Sequence, residues 1–375
     1  MIYFDNSATT NVCPESAEKV MYMMSECWGN PSSLHSFGYR AEKELSAARA
    51  AVAAKLSAEP REIYFTSGGT EANNLAVLGA AEAKKRFGNR IVTTAIEHAS
   101  VLSSMEQLEK QGFEVIYLKP DATGVISVDA INEAINNKTI LVSMMSVNNE
   151  TGAIMPLKAV AAAIKRKKSP ALFHVDNVQG FGKIKLQPKK IGINLMTVSS
   201  HKVHGPKGAG ALFIAQGTRI ASRQFGGGQE KTVRPGTEAV PAICGFGAAV
   251  KALPEELAEE RCIREIHDAL LAELKAIPEI IINSPEEHLP YILNFSCGKI
   301  RSETMLHFLE TKEIYVSSGS ACAGGKASHV LDAMGLPNDR IDSSMRVSFS
   351  RFNTIEQVKP FIDALKEGLD TLAHR

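Results

Sequence analysis

The sequence predicts an α/β protein with a mostly parallel central sheet, helices on both faces, and a smaller α+β domain attached. Three observations predict it. Strand-like and helix-like stretches alternate from Ile63 to Val198, the pattern that builds a parallel sheet covered on both sides. After residue 225 the texture changes to glycine-rich loops, a long helical stretch, and then strands and helices in mixed order. The chain has 375 residues, enough for about two domains by the usual length prior.

Residues 1–35 are irregular, with Asn, Thr, Pro and Gly punctuation around one helical stretch, Pro14–Cys27. Phe37–Leu56 is rich in alanine and charge and is a helix by propensity. Ile63–Thr66 is a short strand, after which Ser67-Gly68-Gly69-Thr70 opens a helix over Glu71–Arg86. Strands follow at Arg90–Ala95, Phe113–Leu118, Thr139–Met144 and Ala171–Val175. Helices lie between them at Ser100–Gln111, Val128–Asn136 and Pro156–Lys167. The apolar run Ile193–Val198 has the character of a buried strand. Gly226-Gly227-Gly228 and Arg234-Pro235-Gly236-Thr237 are loops. Ala239–Ala276 is helical with an interruption near Pro254, and the domain boundary falls inside it, near residue 250. This gives a large domain over 15–250 and a small domain made of 1–14 and 251–375.

Composition excludes several classes. The chain is 44% hydrophobic and 22% charged with a net charge of +1, so neither nucleic acid nor an anionic membrane is an expected partner. Lys165-Arg166-Lys167-Lys168 is a dense basic run, read as the end of a helix where cations suit the dipole. Of the six cysteines, no two share a C-x-x-C spacing, so neither a metal site nor a thioredoxin motif is expected. The N-terminus lacks the basic, apolar and cleavage regions of a signal peptide. No apolar run reaches membrane-spanning length. A reducing cytoplasm is the expected compartment.

Four features fall at the ends of predicted strands, where open α/β sheets place their ligands. Ser67-Gly68-Gly69-Thr70-Glu71 can cradle an anion with backbone N–H groups at a helix start; a plain N-cap by Thr70, with Asn73 or Asn74 downstream, is the other reading. Glu97-His98 supplies an imidazole, or a structural histidine. Asp176-Asn177-Val178-Gln179 supplies a carboxylate able to keep a cationic ring nitrogen protonated, or a turn-forming aspartate. Ser199-Ser200-His201-Lys202 places a lysine after a buried strand, where its deprotonated amine can form a Schiff base; a surface lysine is the alternative. Together they are the inventory of a pyridoxal phosphate site. Two glycine-rich stretches are set aside. Gly226–Thr232 lacks the P-loop spacing, and Gly205-Pro206-Lys207-Gly208-Ala209-Gly210 precedes a strand, not a helix.

Ten stretches in matching order carry a resemblance: FDNSATT, NPSSLHSFG, FTSGGTEANN, EHAS, VNNETGAI, HVDNVQGFGK, SSHKVHGPKG, RPGTEAV, SSGSAC and MRVSFSRFNT. The chain resembles the cysteine desulfurases of the NifS/IscS type, in the class V aminotransferase group of fold-type I pyridoxal 5′-phosphate enzymes. The resemblance implies that Lys202 holds the cofactor covalently. It implies that His98 stacks on the ring and takes part in proton transfers, that Asp176 pairs with the ring nitrogen, and that Gln179 bonds the phenolic oxygen. Gly69, Thr70, Ser199 and His201 would hold the phosphate, with Asn149 close by. Thr237 would reach the phosphate of a neighbouring subunit, which implies a homodimer. Arg346 would clamp the substrate carboxylate, a task that suits a guanidinium; Arg351 is a second candidate.

The resemblance makes Cys322 the nucleophile. Its surroundings, Ser317–Ser328, are almost all small and include three glycines, so the segment is expected to pack little and to move. The implied reaction turns L-cysteine into L-alanine and leaves a persulfide on Cys322 for a protein acceptor such as an iron–sulfur scaffold. The scaffold-serving members of the family often carry a longer loop here. Gly324-Gly325 follows closely instead, which leaves the acceptor open. A selenocysteine lyase or a related lyase or aminotransferase is the alternative enzyme reading. A non-catalytic sulfur-relay or scaffold-binding protein is the alternative of another class. Retention of Lys202, His98, Asp176 and Cys322 together argues against the latter.

Overall fold

The computed structural model describes residues 1–254, 256–318 and 327–373. Cys322, with the rest of 319–326, lies outside the described residues.

β1 (Ile2–Tyr3), α1 (Pro14–Ser25) and α2 (Ser36–Lys55) open the chain. The alternating region follows as β2 (Ile63–Thr66), α3 (Gly69–Lys84), β3 (Arg90–Thr94), α4 (Ala99–Lys110), β4 (Glu114–Leu118), α5 (Val128–Ala134) and β5 (Thr139–Ser143). It continues as α6 (Leu157–Arg166), β6 (Leu172–Asp176), α7 (Pro188–Ile191), β7 (Leu195–Ser199) and β8 (Gly210–Ile214). These seven strands, β2 to β8, form one sheet in the order β2-β8-β7-β6-β5-β3-β4. The run from β4 to β7 is parallel throughout, and β8 is antiparallel to both β7 and β2. All residues of β5 to β8 are buried, which is why the sequence shows them as largely apolar runs, broken inside only by His174 and Thr197. Their side chains alternate between two cores. Ala211 and Phe213 face one with Phe173, Val175 and Val198. Leu212 and Ile214 face the other, where α3 and α4 pack Leu75, Ala76, Val101 and Met105.

The remainder is α8 (Val240–Lys251), α9 (Glu256–Lys275), β9 (Ile280–Ile282), β10 (Ile292–Cys297), α10 (Ser302–Glu310), β11 (Ile314–Tyr315) and β12 (Ser317–Ser318). Then come α11 (His329–Ala333), α12 (Asn338–Asp342), β13 (Ser344–Ser348) and α13 (Val358–Thr371). An antiparallel sheet, β12-β13-β10-β9, is covered by α9, α10 and α13 around a third core that includes Leu270, Phe295, Val347 and Phe361. β1 pairs with β11, and Phe4 joins this core with its ring edge-on to Phe349 and Phe361. The first residues are therefore fastened to the last third of the chain before they cross to the large sheet. Traffic also runs the other way. Val330, Leu331, Met334 and Ile341 pack into the core under the large sheet, although the sequence division puts 251–375 in the smaller unit. The apolar positions of α11 are too few to show in sequence which core they serve.

Candidate active site

The parallel strands carry His98, Asp176 and Ser199 to one edge of the large sheet. β2 points the same way, because two antiparallel steps through β8 restore the direction. Its end delivers Ser67–Gly69 and the start of α3 to the same edge. A cavity of about 350 Å³ opens there, lined by Ser67 to Glu71, Ser199 and His201, with Ala8, Thr9 and Lys207 at its margin. Gly69 is required at its position: a β-carbon would stand 3.0 Å from Val178 Cγ2. Gly210 is required too, since its β-carbon would fall 2.7 Å from the Gly68 backbone. The Gly205–Gly210 stretch, set aside from sequence because no helix follows it, thus forms part of this wall.

Asp176 ends β6 and is 6% exposed. Its Oδ1 accepts from the Val178 N–H at 3.0 Å and its Oδ2 from Asn73 Nδ2 at 2.7 Å. The same Asn73 amide donates to Ser100 Oγ at 2.8 Å. Ser100 Oγ lies 2.8 Å from His98 Nδ1. His98 also N-caps α4, its Nδ1 accepting from the Ser100 N–H at 3.2 Å. Burial lowers the His98 pKa, with Lys202 adding to the effect and Asp176 opposing it. The aspartate and the imidazole are thus joined through Asn73 and Ser100. The sequence reading considered Asn73 only as a helix-start residue. Its position one turn into α3, on the face that meets β6, was the available signal.

Lys202 follows β7 in a short 3₁₀ turn. Its Nζ donates to the carbonyls of Ser7 and Ala8, the latter at 2.8 Å. Gln179 Nε2 donates to the same Ser7 carbonyl at 3.0 Å. His201 Nδ1 lies 3.3 Å from Thr9 Oγ1, and burial followed by the charges of Lys202 and Lys207 pushes its pKa down to about 4. Ser7 to Thr9 therefore form a wall of the site. The stretch FDNSATT contains these residues, but their side chains gave no reason to see the part played by Ser7 and Ala8, which act through backbone carbonyls.

The geometry fits pyridoxal phosphate. Ser199 Oγ and Gln179 Oε1 are buried without a protein partner, and each is a group that an oxygen-rich ligand would satisfy. Hydroxyls and the first turn of a helix suit a phosphate ester, and the Asp176 carboxylate, tied to the same helix through Asn73, suits a pyridinium nitrogen.

Across the cleft, Arg346 on β13 is 3% exposed. It donates to Asp5 Oδ1 at 2.9 Å and to the Asn149 carbonyl at 3.0 Å, while its Nε is buried without a partner among the described residues. In the sheet it pairs with Ser317, so β12, which leads into 319–326, runs beside this arginine. On the far side of that segment, Ser328 Oγ donates to Glu150 Oε2 at 2.5 Å and His329 Nε2 meets the Glu97 carbonyl at 3.0 Å. Burial raises the Glu150 pKa. Arg351 turns elsewhere: it bonds the Ala252 carbonyl and lies over the Phe352 ring. Thr237 is exposed and does not line the cavity. Its loop is tied to the cradle by Arg234, which donates to Glu71 Oε1 at 3.0 Å, and Glu71 Oε2 accepts from the Ser67 N–H.

A family model described as aminotransferase class-V matches residues 2–361. The chain is 42% identical over 371 residues to the cysteine desulfurase IscS of Clostridium botulinum, covering 97% of this chain and 93% of that protein. It is 41% identical over 375 residues to the cysteine desulfurase IscS of Methanosarcina thermophila, covering 99% and 92%. A solved NifS-like protein superposes with a TM-score of 0.93 at 36% identity, covering 99% of this chain and all of that one. A solved structure described as SspA in complex with cysteine gives 0.83 at 32% identity over 94% of this chain and 100% of that one.

Proposed function

The chain belongs to the class-V aminotransferase family, among its cysteine desulfurases of the IscS/NifS type, and from that premise we propose how its own residues carry the reaction. It is a pyridoxal 5′-phosphate-dependent cysteine desulfurase that turns L-cysteine into L-alanine and passes the sulfur on as a persulfide. The observation that carries this reading is the gathering of Lys202, His98, Asp176 and the Ser67–Thr70 cradle at one sheet edge, with a buried arginine facing them. When bound, the cofactor supplies an electrophilic carbon and a ring that accepts the electron pair released at the substrate α-carbon. Gly69, Thr70, Ser199 and His201 hold its phosphate, Gln179 its phenolic oxygen and Asp176 its ring nitrogen. Asn149, whose carbonyl already bonds Arg346, borders the substrate.

Lys202 anchors the cofactor at rest and, once its amine is freed, removes the substrate α-proton at Nζ. Arg346 takes the substrate carboxylate through its two-pronged guanidinium. The Cys322 thiolate attacks the substrate sulfur: the S–S bond forms as the C–S bond breaks, the electron pair stays with carbon, and protonation there yields alanine. The other cysteines are poorly suited to this step. Cys13, Cys27, Cys244 and Cys297 are buried. Burial pushes the Cys244 thiol up to about 12 and that of Cys297 higher still, whereas attack needs thiolate. Cys262 is exposed, but it lies on α9.

A homodimer completes the site through Thr237. Met21, Met24, Trp28, Leu34, Tyr39 and Phe225 are large apolar side chains left exposed on the single chain, as expected of a surface awaiting a second copy. The acceptor is a protein such as an iron–sulfur scaffold, and the compartment is the cytoplasm. Among the described residues no helix is long and apolar enough to cross a membrane. The test is brief exposure of the yellow holoenzyme to L-cysteine, followed by peptide mass spectrometry and an alanine assay. One added sulfur on the Cys322 peptide is expected, with Cys322→Ser retaining colour and losing alanine production. Full turnover in Cys322→Ser, or a persulfide appearing first on Cys262 or Cys297, would overturn the assignment.

A further inference from the structure

The hydrogen-bond arrangement around His98 fixes which of its nitrogens carries the proton. Asn73 is 1% exposed, and its Nδ2 donates at 2.7 Å to Asp176 Oδ2 and at 2.8 Å to Ser100 Oγ, while its Oδ1 is buried with no partner among the described residues. A carboxylate oxygen can only accept, so it selects the nitrogen side of this amide. Ser100 Oγ therefore accepts from Asn73 and has its own hydrogen free to give; its second lone pair leaves the choice at His98 to the backbone. His98 Nδ1 stands 2.8 Å away. The Ser100 backbone N–H, which can only donate, also points at Nδ1 from 3.2 Å. Two donors converge on Nδ1, so Nδ1 holds the lone pair and the hydrogen of a neutral ring sits on Nε2.

Three features favour that neutral ring. It is buried, Lys202 bears on it, and it caps the positive N-terminal end of α4. The charged and titratable groups around it are Asp176, Lys202 and His329. We propose that Asn73 and Ser100 are positioning residues that hold His98 as the neutral Nε2–H tautomer, so that it faces the reacting atoms as a hydrogen-bond donor and not as a proton acceptor. Nδ1 is occupied and Nε2 has no lone pair, so the ring has no free basic site in this arrangement. Its task is to stabilise negative charge developing on the substrate, as a preorganised neutral donor does, while proton removal falls to Lys202. This deepens the desulfurase reading and rests on it for the identity of the substrate.

The experiment is ring-¹⁵N histidine labelling of the holoenzyme, with the His98 signals identified by their loss in His98→Gln. The expected spectrum has an unprotonated Nδ1 and a protonated Nε2 across the pH range of activity. Ser100→Ala and Asn73→Ala should each move the signals toward mixed tautomers and lower kcat about tenfold, with KM within twofold. Ser100→Thr, which restores the hydroxyl, should recover both. Cofactor absorbance checks that each variant is loaded, and Ser100→Ala leaves the contact between Asn73 and Asp176 intact. A protonated Nδ1 in the wild type, or unchanged tautomer and kcat in both alanine variants, overturns the proposal. The spectrum is read without turnover, so failure of persulfide to form on Cys322 would count against the desulfurase reading and not against this one.

Discussion

The two walls of the cleft are built differently. The cofactor wall stands on the ends of β2, β3, β6 and β7, elements buried apart from the half-buried Tyr64 and Arg90, and its polar groups are already connected: Asp176 to Asn73, Asn73 to Ser100, Ser100 to His98. The substrate wall is assembled from distant pieces. Asp5 comes from the first residues, Asn149 and Glu150 from the turn after β5, Arg346 from β13, and Ser328 from the start of α11. Its arginine makes both of its recorded contacts to the protein itself. The difference separates two duties. Holding and polarising a cofactor needs fixed geometry, whereas admitting cysteine and exporting sulfur needs groups that can exchange an internal partner for a ligand.

The strongest way to break this division is at Lys202, which belongs to the fixed wall but must release its bond and act. Lys202→Ala should lower alanine production by at least ~10⁴-fold, the upper range for losing a positioned base, together with loss of covalently held cofactor after borohydride treatment. Alanine release and peptide mapping check it. A borohydride label on Lys183 or Lys207 instead would place the anchor elsewhere.

The substrate wall should fail in another way. Arg346→Lys keeps the charge and loses the planar fork. It should cut kcat/KM by ~10–100-fold, the scale of one charge-assisted hydrogen bond worth about 1.5–3 kcal/mol, chiefly through KM and with the cofactor spectrum unchanged. Steady-state kinetics beside an absorbance scan would decide. An altered cofactor band with normal KM would mean that Arg346 serves the other wall, and the contrast between the two would collapse.

The same contrast explains what could be read from the sequence. Strands β5 to β7 are largely apolar runs that end in polar residues, Asp176 and the Ser199–Lys202 stretch among them, so both the sheet and its ligand edge are visible in one dimension. Gly69 was legible for the same reason. The part played by Ser7 and Ala8 was not, because they contribute carbonyls, which every residue has. Asn73 was passed over because an asparagine near a helix start has an ordinary explanation. Arg351 was the second candidate for the carboxylate clamp, after Arg346. A strand sends successive side chains to opposite faces and then ends, and Arg351 lies past the end of β13 with its guanidinium toward Ala252. Tertiary contacts placed α11 in the large core, which no local pattern of five helical residues could have announced.

The last effect comes from Glu97; it reads on stability and not on turnover, and it tests how dry the fixed wall is. Glu97 is fully buried between β3 and β5. Its Oε1 accepts from Thr94 Oγ1 at 2.9 Å and from the Met145 N–H at 2.8 Å, while Oε2 has no partner. Burial, and then the nearby Asp176 carboxylate, push its pKa up to about 8 against the pull of those two donors. In the unfolded chain the group titrates near its ordinary value of 4.5. The folded state therefore binds the extra proton between these limits, and the stability it contributes is complete below about pH 4.5 and is lost as pH rises to about 8. Glu97→Gln keeps the two bonds to Oε1 and cannot ionise. Its Tm relative to the wild type should be level in acid, climb between those two pH values, and level off above them. Scanning calorimetry from pH 4 to 9 measures this directly. Asp176→Asn should narrow the window from the alkaline side, because the second cause of the shift is gone. Parallel Tm curves for Glu97→Gln and wild type would mean that water reaches Glu97, and that the cofactor wall is no drier than the substrate wall.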